Sequence, residues 1–77
     1  MPTFVRDGPY RIYVYSSDGD EPPHVHVQRD NAVAKYWLEP LRLQSSAGFS
    51  AAELRDVHRL LDVHRNACLR QWNEYFG

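Results

Sequence analysis

Two imidazoles stand two residues apart in the run Glu21-Pro22-Pro23-His24-Val25-His26-Val27, and this spacing is where the chain could do chemistry. The prolines end the preceding loop, and the residues after them alternate polar with apolar at the period of a strand. His24 and His26 therefore share one face, and Val25 and Val27 take the other. Three chemistries fit such a pair. With one histidine as base, the other as acid and a Lys or Arg balancing phosphate charge in the transition state, a phosphodiester can be cleaved without a metal. His-x-His can also seed a metal site, with Asp18, Asp20, Glu21 or a helix histidine completing it, although a nearby Lys disfavours a cation. The third option is a binding surface, where aromatic rings stack on bases and basic side chains touch phosphate. The plainest alternative places both histidines on the wet side of an ordinary antiparallel strand.

The neighbouring elements decide what the pair faces. Asp30-Asn31 separates two alternating runs, and both residue types tolerate the positive φ of a tight hairpin. With these two as the loop, Arg29 pairs with Ala32, which sets His26 opposite Lys35 and His24 opposite Trp37. One face then carries His24, His26, Lys35, Trp37 and Glu39. The other carries Val25, Val27, Ala34, Tyr36 and Leu38. Tyr10 to Tyr15 also alternates, and with Ile12 and Val14 inward it adds Arg11, Tyr13 and Tyr15 to the polar face.

Elsewhere, Thr3 to Val5 is a short apolar run, Asp7-Gly8-Pro9 is a turn, and Ser16 to Pro23 is a loop. The strand from Ala32 to Glu39 closes at Pro40, Leu41 to Gln44 suits a short edge strand, and Ser45 to Gly48 is a connector. Ser50-Ala51-Ala52-Glu53 is a capping box, and Phe49 with Leu54 has the spacing of a hydrophobic staple, so a helix begins beside Ala51. Leu54, Val57, Leu61, Cys68, Trp72 and Tyr75 recur at helical spacing and form a stripe for the apolar side of the sheet. Cys68 within it reads as a small buried hydrophobe. His58 falls on a solvated boundary, whereas His64 reaches toward the sheet edge.

These elements predict an α+β fold, a small antiparallel sheet of three to four strands within residues 3–44 packed against one long C-terminal helix over about 51–75. A chain of 77 residues is one domain of modest intrinsic stability, which favours help from a partner or second copy. Leu60, Leu69 and Phe76 widen the apolar surface of the helix and point the same way, to a homodimer or a protein complex. Nine basic against ten acidic residues give a net charge of −1, so nothing global advertises nucleic acid or an acidic membrane. Eight of the nine basic residues are Arg, suited to local forked contacts with phosphate or carboxylate. One cysteine excludes an internal disulfide, and with no signal-like segment or long apolar run the expected location is cytoplasmic.

The blocks Met1-Pro2-Thr3, Tyr10-Arg11, Glu21 to Val27, Ala34-Lys35-Tyr36-Trp37-Leu38-Glu39-Pro40, Gly48-Phe49 with Glu53-Leu54, then His64, Trp72 and Tyr75-Phe76 follow one another in an order that resembles the small bacterial family called domain of unknown function 4160. The resemblance spans nearly the whole chain and implies a bacterial cytoplasmic protein, often encoded beside a member of domain of unknown function 2442. That pairing has been interpreted as toxin and antitoxin, with the present family as the toxin. No catalytic mechanism comes with it. The resulting expectation is a toxin component bound by its cognate antitoxin, acting through a sheet face on which His24, His26 and Lys35 are the catalytic candidates and Arg11, Tyr13, Trp37 and His64 the binding candidates. Nucleic acid is the candidate target, and no metal, cofactor or membrane is expected. The alternatives are a non-enzymatic binding or accessory module and, behind it, a metal-dependent hydrolase.

Overall fold

The computed structural model describes residues 2–77. The chain runs through β1 (Thr3–Asp7), β2 (Tyr10–Tyr13), a 3-10 turn (Ser16–Asp20), β3 (His24–Arg29), β4 (Ala32–Leu38), β5 (Leu41–Ala47) and α1 (Ala51–Phe76). The sheet is an antiparallel meander in sequence order, β1 to β5. Its five strands exceed the predicted three to four. The segment around Thr3 to Val5 is a full edge strand because Asp7 pairs with Tyr10, which leaves Gly8-Pro9 as a two-residue hairpin loop rather than an open turn. At the other edge, β5 continues past Gln44 through the expected connector to Ala47, after a shift in pairing that leaves Gln44 unpaired between Leu43 and Ser45. β2 stops at Tyr13, two residues short of the predicted Tyr15.

The central hairpin matches the predicted register: Arg29 faces Ala32, His26 faces Lys35 and His24 faces Trp37. Asp30 takes the positive φ (52°) that the two-residue loop requires. On the apolar side, Ile12, Val14, Val25, Val27, Ala34, Tyr36 and Leu38 form one core with Val57, Leu61 and Cys68 of α1. Polar ties fix the helix across this core, since the Tyr36 hydroxyl donates to the Leu54 carbonyl (3.2 Å) and Arg65 Nε donates to the Leu38 carbonyl (2.7 Å).

α1 begins at Ala51 as predicted, with the Ser50 hydroxyl accepting from the Glu53 N–H. The box is half formed. The Glu53 carboxylate does not turn back to the cap because Arg29, at the end of β3, and the Tyr10 hydroxyl both donate to it. This ion pair is partly buried and pins the first turn of the helix to the sheet. At the far end the apolar stripe departs from prediction: Tyr75 is 47% exposed, and Phe76 packs on Trp72 instead, with ring centroids 4.2 Å apart. Leu60, Leu69 and Phe76 are half-buried against the core rather than free on the surface, which weakens the apolar argument for a second copy; Val63 stands most exposed, at 79%. Among the described residues, no helix is long and apolar enough to cross a membrane.

Candidate functional site

The polar face of the sheet gathers most of the expected residues, and the 3-10 turn beside it adds one that decides their chemistry. Asp18, in that turn, accepts the Tyr15 backbone N–H at 2.9 Å, and the same oxygen, Oδ2, lies 3.0 Å from His26 Nε2 and 3.2 Å from His24 Nε2. Helix packing holds the turn in place. Phe76 lies so close to Gly19 that a Cβ there would stand 2.7 Å from its ring, so a larger residue would displace the ring that the helix end lays over this loop.

His24 is the main departure from expectation. It does not lie on an open face, because its ring is enclosed by Trp37 (5.6 Å between centroids), His26 (5.3 Å) and Trp72 of the helix (5.1 Å), and it has no solvent exposure. Alternation assigned His24 to the polar side correctly, but α1 runs past the sheet and folds Trp72 over the start of β3. The result is a histidine on the polar side that is nevertheless buried. Its Nδ1 lies 3.0 Å from the Pro22 carbonyl, which can only accept, so Nδ1 carries the proton. Its Nε2 is buried without a hydrogen-bond partner among the described residues.

His26 keeps one side open, with 17% of its side chain exposed. It stacks on Tyr13 (5.4 Å) and meets Tyr15 edge-on (4.8 Å). Partial burial lowers its pKa, and the Asp18 hydrogen bond and charge offset only part of that effect. Burial pushes Asp18 the other way, upward, but the Tyr15 N–H, the His26 hydrogen bond and the two imidazoles together leave its pKa below the ordinary value. Tyr13 is pushed up to about 12, first by burial and then by its hydroxyl contact with Tyr15, so it is a neutral phenol at physiological pH.

Lys35 sits beside His26 as predicted. Its ammonium donates to Glu21 at 2.8 Å and lies 4.9 Å from the centre of the Trp37 ring, which gives Trp37 a supporting role under the cation. Tyr13, Tyr15, His26, Val33, Ala34, Lys35, Ser45, Ser46 and Ala47 line an open cleft of about 470 Å³. Its far wall is the part of β5 that was expected to be a connector. Arg11 lies at the margin, with its guanidinium 4.5 Å over the Tyr13 ring and its Nε donating to Thr3 Oγ1 at 2.8 Å. Arg42, opposite Trp37, is an exposed cation of the same face that sequence reasoning passed over; its place between Leu41 and Leu43 was the available signal.

His64 does not join this group. It lies 2.8 Å from Asp7 at the end of edge strand β1, a structural tie of the kind its helical position allowed. Cys68 is buried in the core and its thiol is pushed up to about 11 by that burial, as a small hydrophobe rather than a nucleophile.

A meander of five antiparallel strands backed by one long helix, with a histidine–aspartate cluster opening onto an aromatic cleft, defines a small α+β protein with one chemically distinctive face. The chain belongs to the family described as Domain of unknown function (DUF4160), whose model matches residues 10–73. No curated protein and no solved structure matches it.

Proposed function

We propose that this chain is the toxin component of a bacterial toxin–antitoxin pair and that its working surface is the cleft at His26 and Lys35, which engages a phosphate-bearing nucleic acid. The observation that carries this reading is the alignment of an accessible imidazole, backed by Asp18, with an ammonium and two tyrosine rings along one open cleft. Tyr15 offers a face for base stacking, Lys35 and Arg42 offer charge to the backbone, and His26 is the group that can exchange a proton with a ligand. His24 positions this array and does not touch the nucleic acid, since it is buried. A cognate antitoxin of the domain of unknown function 2442 type in the cytoplasm is the partner this reading calls for, and a homodimer is the other association it accommodates.

A second reading, a binding module without chemistry, is favoured by one specific fact. Burial of His24 leaves the cleft a single open imidazole and no second histidine to act as its acid. The two readings part in a growth experiment, with the chain expressed from an inducible promoter alone and beside its domain of unknown function 2442 neighbour. The toxin reading predicts arrest that the neighbour relieves and that His26→Ala with Lys35→Ala abolishes while the variant remains cooperatively folded. Unimpaired growth with abundant soluble protein would contradict it.

A further inference from the structure

Among the described residues, the His24 Nε2 is the one buried side-chain polar atom without a hydrogen-bond partner. Because Nδ1 donates to the Pro22 carbonyl, the neutral ring presents a bare lone pair at Nε2, and that lone pair is buried without a donor beside the Asp18 carboxylate oxygen. Two acceptors 3.2 Å apart repel unless a cation joins them. The His26 Nε2 converges on the same carboxylate oxygen, and one ligand atom from each of Asp18, His24 and His26 lies within 4.8 Å of the others. From this convergence we propose that Asp18, His24 and His26 form a binding site for a divalent first-row transition ion, with zinc(II) as the reference metal.

Four features support the assignment. Ligand atoms around a tetrahedral ion with bonds of about 2.0–2.2 Å stand roughly 3.3–3.5 Å apart. The two contacts of Asp18 Oδ2, at 3.0 and 3.2 Å, are already near that spacing, and a swing of the partly exposed His26 ring closes the remaining separation. The Pro22 carbonyl on His24 Nδ1 is the outer contact that characteristically fixes the tautomer and direction of a ligating imidazole. Two imidazoles with one carboxylate select borderline ions over magnesium or calcium, which require oxygen ligands. Local charge is also favourable, because Asp18 is paired only with imidazoles and Glu21 offsets part of the Lys35 charge beside the site.

Binding forms two metal–nitrogen bonds and one metal–oxygen bond; the proton that His26 Nε2 donates to Asp18 in the free protein passes through solvent to Nδ1, so the ring ligates as a neutral imidazole with no net proton released. Glu21, whose Oε1 lies 3.6 Å from His24 Nε2, or a water from the cleft would complete the coordination. This inference concerns the same histidines as the toxin reading but does not depend on it, since metal binding is measured on the purified chain and growth is not.

The test is a titration of the chelator-treated, full-length protein with cobalt(II), followed by visible d–d absorption, and with zinc(II), followed by calorimetry. One ion per chain at micromolar or tighter affinity is expected, with cobalt absorption showing mixed nitrogen and oxygen ligation. Asp18→Asn and His26→Gln, both at partly exposed positions, should each weaken binding by about tenfold or more. They serve as the decisive variants should His24→Gln, at a fully buried position, fail to fold. Absence of binding by the folded wild-type chain would overturn the proposal and leave the direct His24–Asp18 contact as the better account. Undiminished binding by Asp18→Asn and His26→Gln would overturn it as well, by placing the ion at surface histidines such as His58.

Discussion

Replacing Trp72 with alanine tests whether the end of the helix holds the site together. The ring is only 5% exposed, lies 5.1 Å from His24 and 4.2 Å from Phe76, and so bridges the buried histidine to the residue that closes over Gly19. A buried tryptophan removes on the order of 150–250 Å² from water. At roughly 25 cal/mol per Å² this corresponds to about 4–6 kcal/mol, and partial collapse of the surroundings lowers the expected loss to about 3–5 kcal/mol. A domain of this size has a total stability of roughly 4–12 kcal/mol, so Trp72→Ala would bring the fold close to its limit. Urea unfolding followed by far-UV circular dichroism gives the loss directly, with Trp37 as the remaining fluorescent probe of the site. Trp72→Phe should recover part of it, because a ring would still cover His24. A loss below about 1 kcal/mol for the alanine variant would refute the reasoning, since it would mean that Trp72 is not anchored as described.

Three further outcomes follow from the packing. Arg29 donates to Glu53 and holds its carboxyl below the ordinary value of 4.5, so the stability this bridge confers is present above that pH and is lost as pH falls through the depressed folded value. Arg29→Ala should therefore flatten the upper part of the acid-unfolding limb, and an unchanged limb would remove Glu53 from the account. Gly48 has φ +90° and a Cβ there would meet the Ala32 Cα at 3.0 Å, so Gly48→Ala should cost about 1–3 kcal/mol, visible as a lowered melting temperature. Cys68, with its thiol raised to about 11 inside the core, should resist alkylation at neutral pH in the native protein and react promptly in denaturant. Rapid native alkylation would contradict its burial.

The sequence carried the parts of the fold that depend on local pattern. Alternation through His24 to Val27 and Ala32 to Leu38, with Asp30-Asn31 between them, was enough for the hairpin register, and Ser50 with the apolar stripe was enough for the start of the helix. The outer strands were less legible. β1 is short with a two-residue loop of unusual composition, and in β5 the unpaired Gln44 breaks the alternation just before the weak strand formers Ser45 and Ser46. The site was legible to the same extent. His26 beside Lys35 is a matter of register, whereas burial of His24 depends on how far a helix nearly fifty residues later overhangs the sheet. Asp18, one of four candidates for a third ligand, could be singled out only once the loop was placed over β3, because nothing periodic fixes a loop side chain.

The central claim is that the face bearing His26 and Lys35 engages phosphate. The direct measurement is the salt dependence of binding to a labelled single-stranded RNA, for the wild-type chain and for Lys35→Ala. A surface contacting the backbone through Lys35 should bind more weakly as salt rises, and Lys35→Ala should lower the log–log slope by about 1 while reducing affinity on every sequence alike. Absence of binding at low salt, or a slope unchanged by Lys35→Ala, would contradict the account.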